Sequence, residues 1–437
     1  MTSANARVLA GLPGIREWLE ALYRHLHAHP ELSMAEHKTA ERVVEEVRAM
    51  PGGGDAEIVT GIATTGLGVV VRNGDGPTVM IRADMDGLPV LEETGLPYAS
   101  VAQAHDEDGN TVPVMHACGH DSHIACVLGA LRLMLESRDE WRGTLVIVFQ
   151  PAEEAHSGAE AMVTDGLTER LPKPEVAFGQ HLFPGPAGTV QVSAGPVMAS
   201  CHDFRITLRG KGGHGSAPHL AIDPVVMAAS LVMRLQGVVS RQVPPRSTAV
   251  LSIGRISAGV TTNVIPASAE MEGTLRTYDN EIADFCLALL KRAVIAEADS
   301  WGAPAPIVEV FDHLPVTNND PCVTAEVRAA FVAELGEENV RPFEPMMGSE
   351  DFSTLADAWG APYCFWSLGA FDPDEWTAAE AAGTQHEDFP DNHSPLFAPV
   401  LQPMLDTGVR AMVTAAMSRL AVDAVRLEGP CPSTLGE

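Results

Sequence analysis

One continuous apolar run with an abrupt polar end constrains the fold more than any other feature of the sequence. Residues 144–149 read TLVIVF, and residues 150–154, QPAEE, follow directly. An uninterrupted apolar run of this length is typical of a strand that is buried on both faces of a sheet. Residues 67–71 and 78–81 are also strand-like, and the second leads into the polar segment 82–86 (RADMD). The sequence therefore predicts an α/β domain in three layers, with a mixed sheet between helices.

Polar side chains gather where these predicted strands end. Residues 176–179 form a further short apolar run, which we interpret as a strand that ends just before His181. In open α/β sheets, ligand sites form at the carboxyl ends of the strands. Because Asp84, the pair Glu153-Glu154 and His181 all fit that position, we expect them to lie near one another.

A different pattern begins near residue 199. Three segments alternate between apolar and polar residues, as antiparallel strands with one solvated face do, and two segments between and after them have helical periodicity. The strands are predicted at 203–208, 248–256 and 269–276, and the helices at 223–239 and 280–298. The α/β character then resumes, with helices predicted near 321–335 and 400–422. We therefore predict a catalytic domain formed by residues 1–198 and 313–437, interrupted by an inserted α+β domain at 199–312. The tail 427–437 is expected to be a frayed end.

Composition and charge exclude several classes of function. The formal net charge of the 437-residue chain is -30, and so acidic a surface repels nucleic acid. No stretch of 18 apolar residues predicts a membrane span. The first residues do not form a basic segment followed by an apolar run, so we expect no signal peptide and a cytoplasmic protein. The seven cysteines are scattered rather than arranged as a disulfide framework.

The pair Cys118 and His120 is the first sign of a metal site. A Cys-x-His pair at a loop entering a helix can supply a thiolate and an imidazole to one metal ion. Alone, the pair is more often a buried cysteine near an exposed histidine. Glu153 and Glu154 change that balance, because one carboxylate can bind metal while its neighbour acts as a general base. His181 and His393 are uninformative in isolation, and it is the combination that predicts a metal centre.

Several ordered sequence blocks carry a resemblance to one family. In chain order they are 26–32 (LHAHPEL) with Glu36, 82–89 (RADMDGLP), 115–121 (MHACGHD), 150–154 (QPAEE), 179–181 (GQH), 210–218 (GKGGHGSAP), 263–266 (NVIP) and 348–352 (GSEDF). These blocks resemble the N-acyl-amino-acid amidohydrolases, and the resemblance covers roughly residues 17–415. That family is the aminoacylase, hippurate hydrolase and indole-acetyl-amino-acid hydrolase group of the zinc aminoacylase–carboxypeptidase superfamily. The resemblance implies that the inserted domain is a ferredoxin-like lid and dimerisation domain.

The resemblance also implies a centre of two divalent ions per subunit. Cys118 would bridge the two ions, with His120 and Glu154 on one of them and His181 and His393 on the other. The thiolate favours Zn²⁺, while the imidazole and carboxylate ligands would also accept Mn²⁺, Co²⁺ or Ni²⁺. The family usually has His-Asn-Pro where this chain has His393-Ser394-Pro395. That departure puts the local loop in doubt and leaves His386 as the alternative ligand.

The remaining predicted site residues have catalytic or substrate-binding roles. By the resemblance, Glu153 is the catalytic carboxylate and Asp86 orients a ligand through a hydrogen bond. The glycine-rich run at 210–215 lacks the Gly-Lys-Ser/Thr ending of a phosphate loop. The resemblance instead gives His214 the stabilisation of the oxyanion across a dimer interface. It places Asn263 and Arg276 at the substrate carboxylate, although an arginine on a strand can equally be an ordinary exposed charge.

The implied activity is metal-dependent hydrolysis of N-acyl-amino acids to a carboxylic acid and a free amino acid. Glu153 would take a proton from the attacking water and pass it to the departing amine. A dipeptidase or carboxypeptidase would use the same site chemistry, and a non-catalytic homologue used for binding is the alternative from another class. The expected partners are a small-molecule substrate and a second copy of the chain, in a homodimer or a tetramer, with no nucleic acid and no membrane.

Overall fold

The computed structural model describes residues 2–106 and 108–424. The predicted frayed tail, 427–437, lies outside the described residues. The chain divides into two compact units, the first formed by residues 1–195, 319–344 and 351–437 and the second by 196–318 and 345–350. None of the helices in the described part of the chain combines the length and apolar character needed to cross a membrane.

Strands and helices alternate along most of the described chain. The strands are β1 (Glu57–Ile62), β2 (Gly66–Asn73), β3 (Thr78–Asp84), β4 (Gln103–His105), β5 (Thr111–Pro113), β6 (Gly143–Gln150), β7 (Val176–Pro186), β8 (Val190–Gln191), β9 (Gly195–Met198), β10 (Ser200–Arg209), β11 (Gly213–His214), β12 (Ala249–Ala258), β13 (Val264–Ile265), β14 (Ser268–Thr277), β15 (Ile307–Leu314), β16 (Thr317–Asn319), β17 (Val340–Arg341) and β18 (Tyr363–Phe371). The helices are α1 (Ala4–Leu9), α2 (Leu12–His27), α3 (His37–Ala49), α4 (His120–Glu136), α5 (Gly158–Thr164), α6 (Leu167–Arg170), α7 (Pro224–Gln242), α8 (Asn280–Ser300), α9 (Pro321–Leu335), α10 (Phe352–Trp359), α11 (Pro373–Ala382), α12 (Gln385–Asp388) and α13 (Met404–Leu420).

A mixed eight-stranded sheet is the centre of the first unit. Its strand order is β1-β2-β6-β3-β7-β18-β8-β17. The four strands β6, β3, β7 and β18 run parallel to one another, whereas β1 and β2 are antiparallel additions at one edge. The predicted α/β fold with a mixed sheet is therefore confirmed.

Alternate side chains of the central strands pack into two helical layers. Val69, Val71 and Ile81 belong to the large core that also contains the apolar faces of α2, α4 and α13. Their neighbours Val70 and Met80 are equally buried but lie outside that core, on the face where α5 contacts β6 and α10 contacts β7. Burial on both faces explains why these strands are apolar without interruption.

The register of the parallel strands sets the position of the polar strand ends. Asp84 of β3 lies opposite Gln150 of β6, and Arg82 lies opposite Gly179 of β7. His181 therefore lies at the same edge as Asp84, although it lies inside a strand and not after one. The prediction that the strand ends before His181 was wrong, because β7 continues to Pro186 through its pairing with β18.

The second unit contains a four-stranded antiparallel sheet in the order β12-β14-β10-β15. The helices α7 and α8 pack against it and share one core with Phe204, Met271 and Leu275. Alternating burial along β10 shows that one face of the sheet is covered and the other is more accessible. The predicted insertion of an α+β domain into the α/β domain is confirmed.

Candidate metal centre

The loop before α4 brings a thiol and an imidazole to the carboxyl edge of the sheet. Gly119 adopts a left-handed conformation with φ of 84°, which a residue with a side chain adopts at a cost. The carbonyl oxygen of Gly119 accepts hydrogen bonds from the backbone N–H and the hydroxyl of Ser122, at 2.9 and 2.6 Å. This turn leaves Cys118 just outside the helix and makes His120 its first residue, both buried.

The turn after β6 presents the two carboxylates. Ala152 has a positive φ of 50°, and its N–H donates to Oε1 of Glu36 at 2.9 Å. The N–H of Glu154 donates to Oδ2 of Asp86 at 3.0 Å. These bonds fix the backbone of the turn, and the carboxylates of Glu153 and Glu154 lie 4.0 and 3.8 Å from Nε2 of His120.

Ligand-type atoms lie at separations that one shared metal ion requires. The Sγ atom of Cys118 is 3.5 Å from Nε2 of His181, and Oε1 of Glu154 is 3.3 Å from Nε2 of His393. Two ligands bound tetrahedrally at ordinary Zn–S, Zn–N and Zn–O distances would lie about 3.3 to 3.6 Å apart. The geometry therefore fits metal binding without rearrangement of these side chains.

Two buried polar atoms of the centre are suited to bind a cation. The Nε2 atom of His120 and the Oε1 atom of Glu154 are buried and have no hydrogen-bond partner within the described part of the chain. Unsatisfied buried polar atoms are costly, and in native proteins each calls for an explanation. A divalent ion bound by both atoms would satisfy them.

Hydrogen bonds hold the two buried histidines in the tautomer that can bind a metal. Nδ1 of His181 lies 2.9 Å from the carbonyl oxygen of Leu182, which can only accept, so Nδ1 carries the proton. Nδ1 of His120 lies 3.2 Å from Oδ1 of Asp86 and donates to that carboxylate in the same way. In each ring Nε2 is therefore the atom that can bind a metal.

The electrostatics of the centre favour a bound cation. Burial and the nearby carboxylates of Glu154 and Glu153 raise the pKa of the Cys118 thiol well above its usual range. Burial lowers the pKa of His120, but the carboxylates of Asp84 and Asp86 outweigh it and raise the pKa to about 10. Without a metal, both groups therefore hold protons at neutral pH, and a coordinating ion would replace them.

His181 is held neutral by its surroundings. Burial, together with the nearby rings of His123 and His120, lowers its pKa well below the usual range. The ring also stacks on Phe183, with centroids 4.2 Å apart and planes 21° apart. A neutral imidazole in a fixed orientation is the form that binds a metal ion.

The structure groups the other four predicted ligands around the sulfur of Cys118. One group of mutually close ligand atoms comprises Cys118, His120 and His181, and another comprises Cys118, Glu154 and His393. A further group comprises His120, Glu153 and Glu154, so the distances also allow His120 to accompany Glu154, as the resemblance implied. Cys118 belongs to the first two groups, which is the position that a bridging ligand must have.

His393 lies on a loop that is hydrogen-bonded to the segment around Cys118. The N–H of His393 donates to the carbonyl oxygen of Ala117 at 2.8 Å. The side chain of Asn392 donates to the carbonyl oxygens of Leu182 and Cys118, at 3.0 and 3.3 Å. The alternative ligand His386 is an exposed residue of α12.

A buried charged network lies behind the centre, and sequence reasoning gave no role to Arg82 within it. Asp84 accepts from Nδ1 of His123 at 2.6 Å and from Nη1 of Arg82 at 2.6 Å. Nε2 of His123 accepts from the N–H of Leu182, so both of its ring nitrogens are already used. Arg82 also contacts Asp351. Hydrogen-bond partners in this network, such as Arg82 and Asp351, are distant in sequence. The sequence therefore gave only one sign of the network, the polar residues at the end of an apolar strand.

The three predicted substrate-binding residues lie in the second unit. His214 pairs with Val264, and the N–H of Gly215 donates to the carbonyl oxygen of Asn263 at 2.8 Å, so the two loops lie together. Nδ1 of His214 accepts from the N–H of Ser216 at 3.1 Å, which leaves the proton on Nε2 as a donor. Arg276 is partly buried and donates to the carbonyl oxygen of Met347 at 2.9 Å.

Comparison with protein families and characterised proteins gives a consistent result. The family model described as peptidase family M20/M25/M40 matches residues 80–405. The chain is 37% identical over 362 residues to N-acetylcysteine deacetylase from Bacillus subtilis, covering 81% of this chain and 88% of that protein. It is 35% identical over 358 residues to thermostable carboxypeptidase 2 from Saccharolobus solfataricus, covering 81% of this chain and 86% of the relative.

Two solved structures have the same architecture. A protein from methicillin-resistant Staphylococcus aureus, described as an aminohydrolase, has a TM-score of 0.81 at 30% identity, covering 95% of this chain and 99% of that one. The Bacillus subtilis YxeP protein, described as a dinuclear metal-binding peptidase from the M20 family, has a TM-score of 0.74 at 30% identity. That match covers 92% of this chain and 98% of the YxeP chain.

Proposed function

The chain belongs to peptidase family M20/M25/M40 and is a metal-dependent hydrolase, and from this premise we propose that it hydrolyses the amide bond of N-acyl-amino acids. The products are a carboxylic acid and a free amino acid. One observation supports this proposal above the others. Four ligand-type side chains meet around the sulfur of Cys118, and the carboxylate of Glu153 lies beside them, within 4.0 Å of His120.

Glu153 is the proposed general base and acid. Two divalent ions, when bound, would lower the pKa of water and polarise the acyl carbonyl group. Cys118, His120 and His181 would hold one ion, and Cys118, Glu154 and His393 the other. Glu153 is the neighbour of the ligand Glu154, and its carboxylate extends toward His120 from the same turn. From this position it would accept a proton from water and pass it to the departing amine.

Residues of the second unit have proposed roles in binding the substrate. His214 presents Nε2–H, the tautomer that can donate a hydrogen bond to an oxyanion. Arg276 has a planar guanidinium that matches the carboxylate of an amino acid. Asn263 lies on the loop paired with that of His214 and would contribute a further polar contact.

The N-acyl-amino-acid substrate class is supported by the names of relatives. Besides N-acetylcysteine deacetylase, the chain is 38% identical over 299 residues to N-acyl-L-amino acid amidohydrolase from Geobacillus stearothermophilus, covering 68% of this chain and 77% of that protein. These names describe the removal of an acyl group from an amino acid. The same reaction is proposed for this chain.

A carboxypeptidase is the second candidate function. It is favoured by the 35% identity to a carboxypeptidase from Saccharolobus solfataricus. The centre described above would serve that reaction equally, because only the group on the acyl side of the bond differs.

A substrate panel separates the two candidates. The purified protein, loaded in turn with Zn²⁺, Mn²⁺ and Co²⁺, would be given N-acetyl-amino acids, N-benzoyl-amino acids and dipeptides, and free amine would be measured. We expect kcat/KM for the better N-acyl-amino acid to exceed that for dipeptides by at least about tenfold. A preference for dipeptides would favour the carboxypeptidase, and no hydrolysis with any ion would contradict both.

We further propose that the chain forms a homodimer through its second unit. Strand β12 lies at an edge of the four-stranded sheet, and edge strands have free hydrogen-bonding groups that can pair with another chain. Val250 and Ile256 of β12 are exposed, as are Val226 and Met233 of α7, the helix that packs against β12. An apolar strand and helix side by side favour association with a second copy.

A further inference from the structure

A buried group of three charged residues lies behind the Cys118 loop and has no part in the reaction proposed above. His27, at the end of α2, is 1% exposed. Its Nδ1 atom is 2.7 Å from Oδ2 of Asp121, and its Nε2 atom is 3.2 Å from Oε1 of Glu92. Both carboxylate side chains are equally buried.

His27 is the cation that holds the two carboxylates together. Each ring nitrogen faces a carboxylate oxygen, which can only accept, so both nitrogens donate and the ring is an imidazolium. Burial opposes that charge, but the hydrogen bonds that His27 donates to Asp121 and Glu92 outweigh it and raise the pKa of His27 to about 10. The group is therefore a complete ion triple and not a chance contact.

The Asp121 side of the triple is joined to the loop that carries two ligands. Asp121 follows His120 directly and is the second residue of α4. Its Oδ1 atom accepts from the N–H of Ser122 at 2.8 Å, so the carboxylate spans from the first turn of the helix to His27. Any movement of this carboxylate would move the helix start and with it His120.

The Glu92 side of the triple is joined to the loop that carries His393. Oε2 of Glu92 accepts from the N–H of Ser100 at 2.6 Å, which anchors the segment. The N–H of the next residue, Glu93, donates to the carbonyl oxygen of Pro395 at 2.8 Å. Since the N–H of His393 bonds to Ala117, these contacts close a ring that passes through both ligand-bearing loops.

We propose that the Glu92–His27–Asp121 triple, called here the buried clasp, is a positioning device that sets the spacing between the Cys118-His120 loop and the His393 loop. The clasp touches neither substrate nor metal, and acts through the ligands. This role rests on the metal centre proposed above. A buried ion triple is a poor source of stability compared with apolar packing, because desolvating its charges is costly, whereas it does fix geometry.

Substitution of His27 tests the clasp. His27→Gln removes the charge and one of the two donors. His29→Gln is a matched control because His29 is exposed and its ring, within the described residues, hydrogen-bonds only to the carbonyl oxygen of His25. The proteins would be loaded with Co²⁺, and the stoichiometry, affinity and sulfur-to-cobalt absorption band would be recorded. We expect His27→Gln to weaken cobalt binding by roughly 10- to 100-fold and to alter the band, and His29→Gln to match the wild type.

A second variant distinguishes positioning from a general loss of structure. Glu92→Gln keeps the shape of the side chain and disturbs only the side of the clasp that leads to His393. We expect Glu92→Gln to lower the affinity for the ion held by Glu154 and His393 more than the affinity for the ion held by His120 and His181. Glu93→Gln is its control, because Glu93 is exposed and keeps the backbone N–H that bonds to Pro395.

The outcomes separate the clasp from the proposed function. If the wild type binds two cobalt ions and both clasp variants bind them with the same affinity and spectrum, the clasp has no positioning role. Glu92→Gln could instead lower the affinity for both ions equally and also lower the melting temperature of the metal-free protein. That result would show a structural role only. If the wild type binds no cobalt, the metal centre itself is wrong, and the clasp proposal is overturned with it.

Discussion

The thiol of Cys118 is buried among carboxylates, and this surrounding determines what it can do. Burial and the neighbouring Glu154 and Glu153 raise its pKa, so the free thiol stays protonated and unreactive. A thiol in this state is a poor nucleophile. A bound divalent ion would deprotonate it, and the thiolate would then bridge the two groups of ligands.

Replacing Cys118 with alanine is expected to remove metal before it affects the fold. We expect Cys118→Ala to bind the two ions at least about 100-fold more weakly. The melting temperature of the metal-free protein is expected to change little. Cys126→Ala, which removes a buried thiol of α4 remote from the ligand groups, is the control for lost packing. Full metal occupancy in Cys118→Ala would show that the sulfur is not a ligand.

Metal binding should release protons at neutral pH. The pKa of His120 is raised to about 10, and that of the Cys118 thiol is also raised, so both groups are protonated in the metal-free protein at pH 7. Because an ion binds only the deprotonated forms, loading both sites should release about two protons. The apparent affinity should therefore rise with pH through the neutral range and continue to rise until both His120 and the Cys118 thiol have lost their protons.

Calorimetry in buffers of different ionisation enthalpy measures this proton release directly. A slope that corresponds to no released protons would mean that one or both groups already lack their protons in the metal-free protein. It would contradict the electrostatic account of the centre.

The sequence predicted the chemical types of the ligands better than their arrangement. Cys118, His120 and Glu154 could be predicted because each lies in a short block with a recognisable neighbour. Which of them meet around one ion depends on the register between distant strands, which no local pattern gives. The sequence placed Asp84 at this edge of the sheet without a chemical role and gave no role to Arg82, because their hydrogen bonds involve residues that no local pattern connects.

At the scale of elements, the start of α4 depends on one glycine. Gly119 has a φ of 84°, and a Cβ atom added there would lie 2.9 Å from Cδ2 of Leu182. The conformation and the contact both oppose a side chain. The position of Cys118 and His120 therefore depends on the absence of a side chain between them.

Gly119→Ala is expected to weaken metal binding and stability together. The strain of the left-handed conformation costs about 1 kcal/mol, and relief of the contact with Leu182 would displace the loop. Gly360→Ala is the control, because Gly360 also has a positive φ of 61° but has no atom within 4 Å of the added Cβ. Denaturant unfolding and metal titration of both variants would measure the difference. Equal metal affinity in the two variants would show that the Gly119 contact is unimportant for the centre.

Strand and helix types were largely predictable, but one strand end was not. The apolar runs of β2, β3 and β6 are visible in the sequence because both faces of these strands are buried. In β7, Gln180 and His181 interrupt the apolar run, although the strand continues. The side-chain oxygen of Gln180 accepts from the indole N–H of Trp366 on β18, so this oxygen is satisfied inside the sheet by a partner 186 residues away.

At the scale of the whole molecule, the division into an α/β unit and an inserted α+β unit follows from the change in the hydrophobic pattern. Continuous apolar runs predict strands buried on both faces, and alternating runs predict strands with one accessible face. This contrast is strong enough to be visible without any structure. How two copies of the chain associate is not encoded in such a local pattern.

The proposed homodimer has a direct test. Light scattering coupled to size-exclusion chromatography should give twice the mass of the single chain. Met233→Glu, on the exposed face of α7, should shift the protein toward the monomer. Val101→Glu, at an equally exposed apolar residue of the first unit, should not. A monomeric wild type would contradict the proposal.

The central claim is that Glu153 moves the proton while its neighbours hold the metal ions, and Glu153→Gln tests it most directly. Metal content and amine release from an N-acyl-amino acid would be measured on the same sample, with the exposed Glu160→Gln as control. We predict that the Glu153→Gln protein still binds both ions and that its kcat is lower by roughly 10²- to 10⁴-fold. Amine release at the wild-type rate with both ions bound would contradict the account.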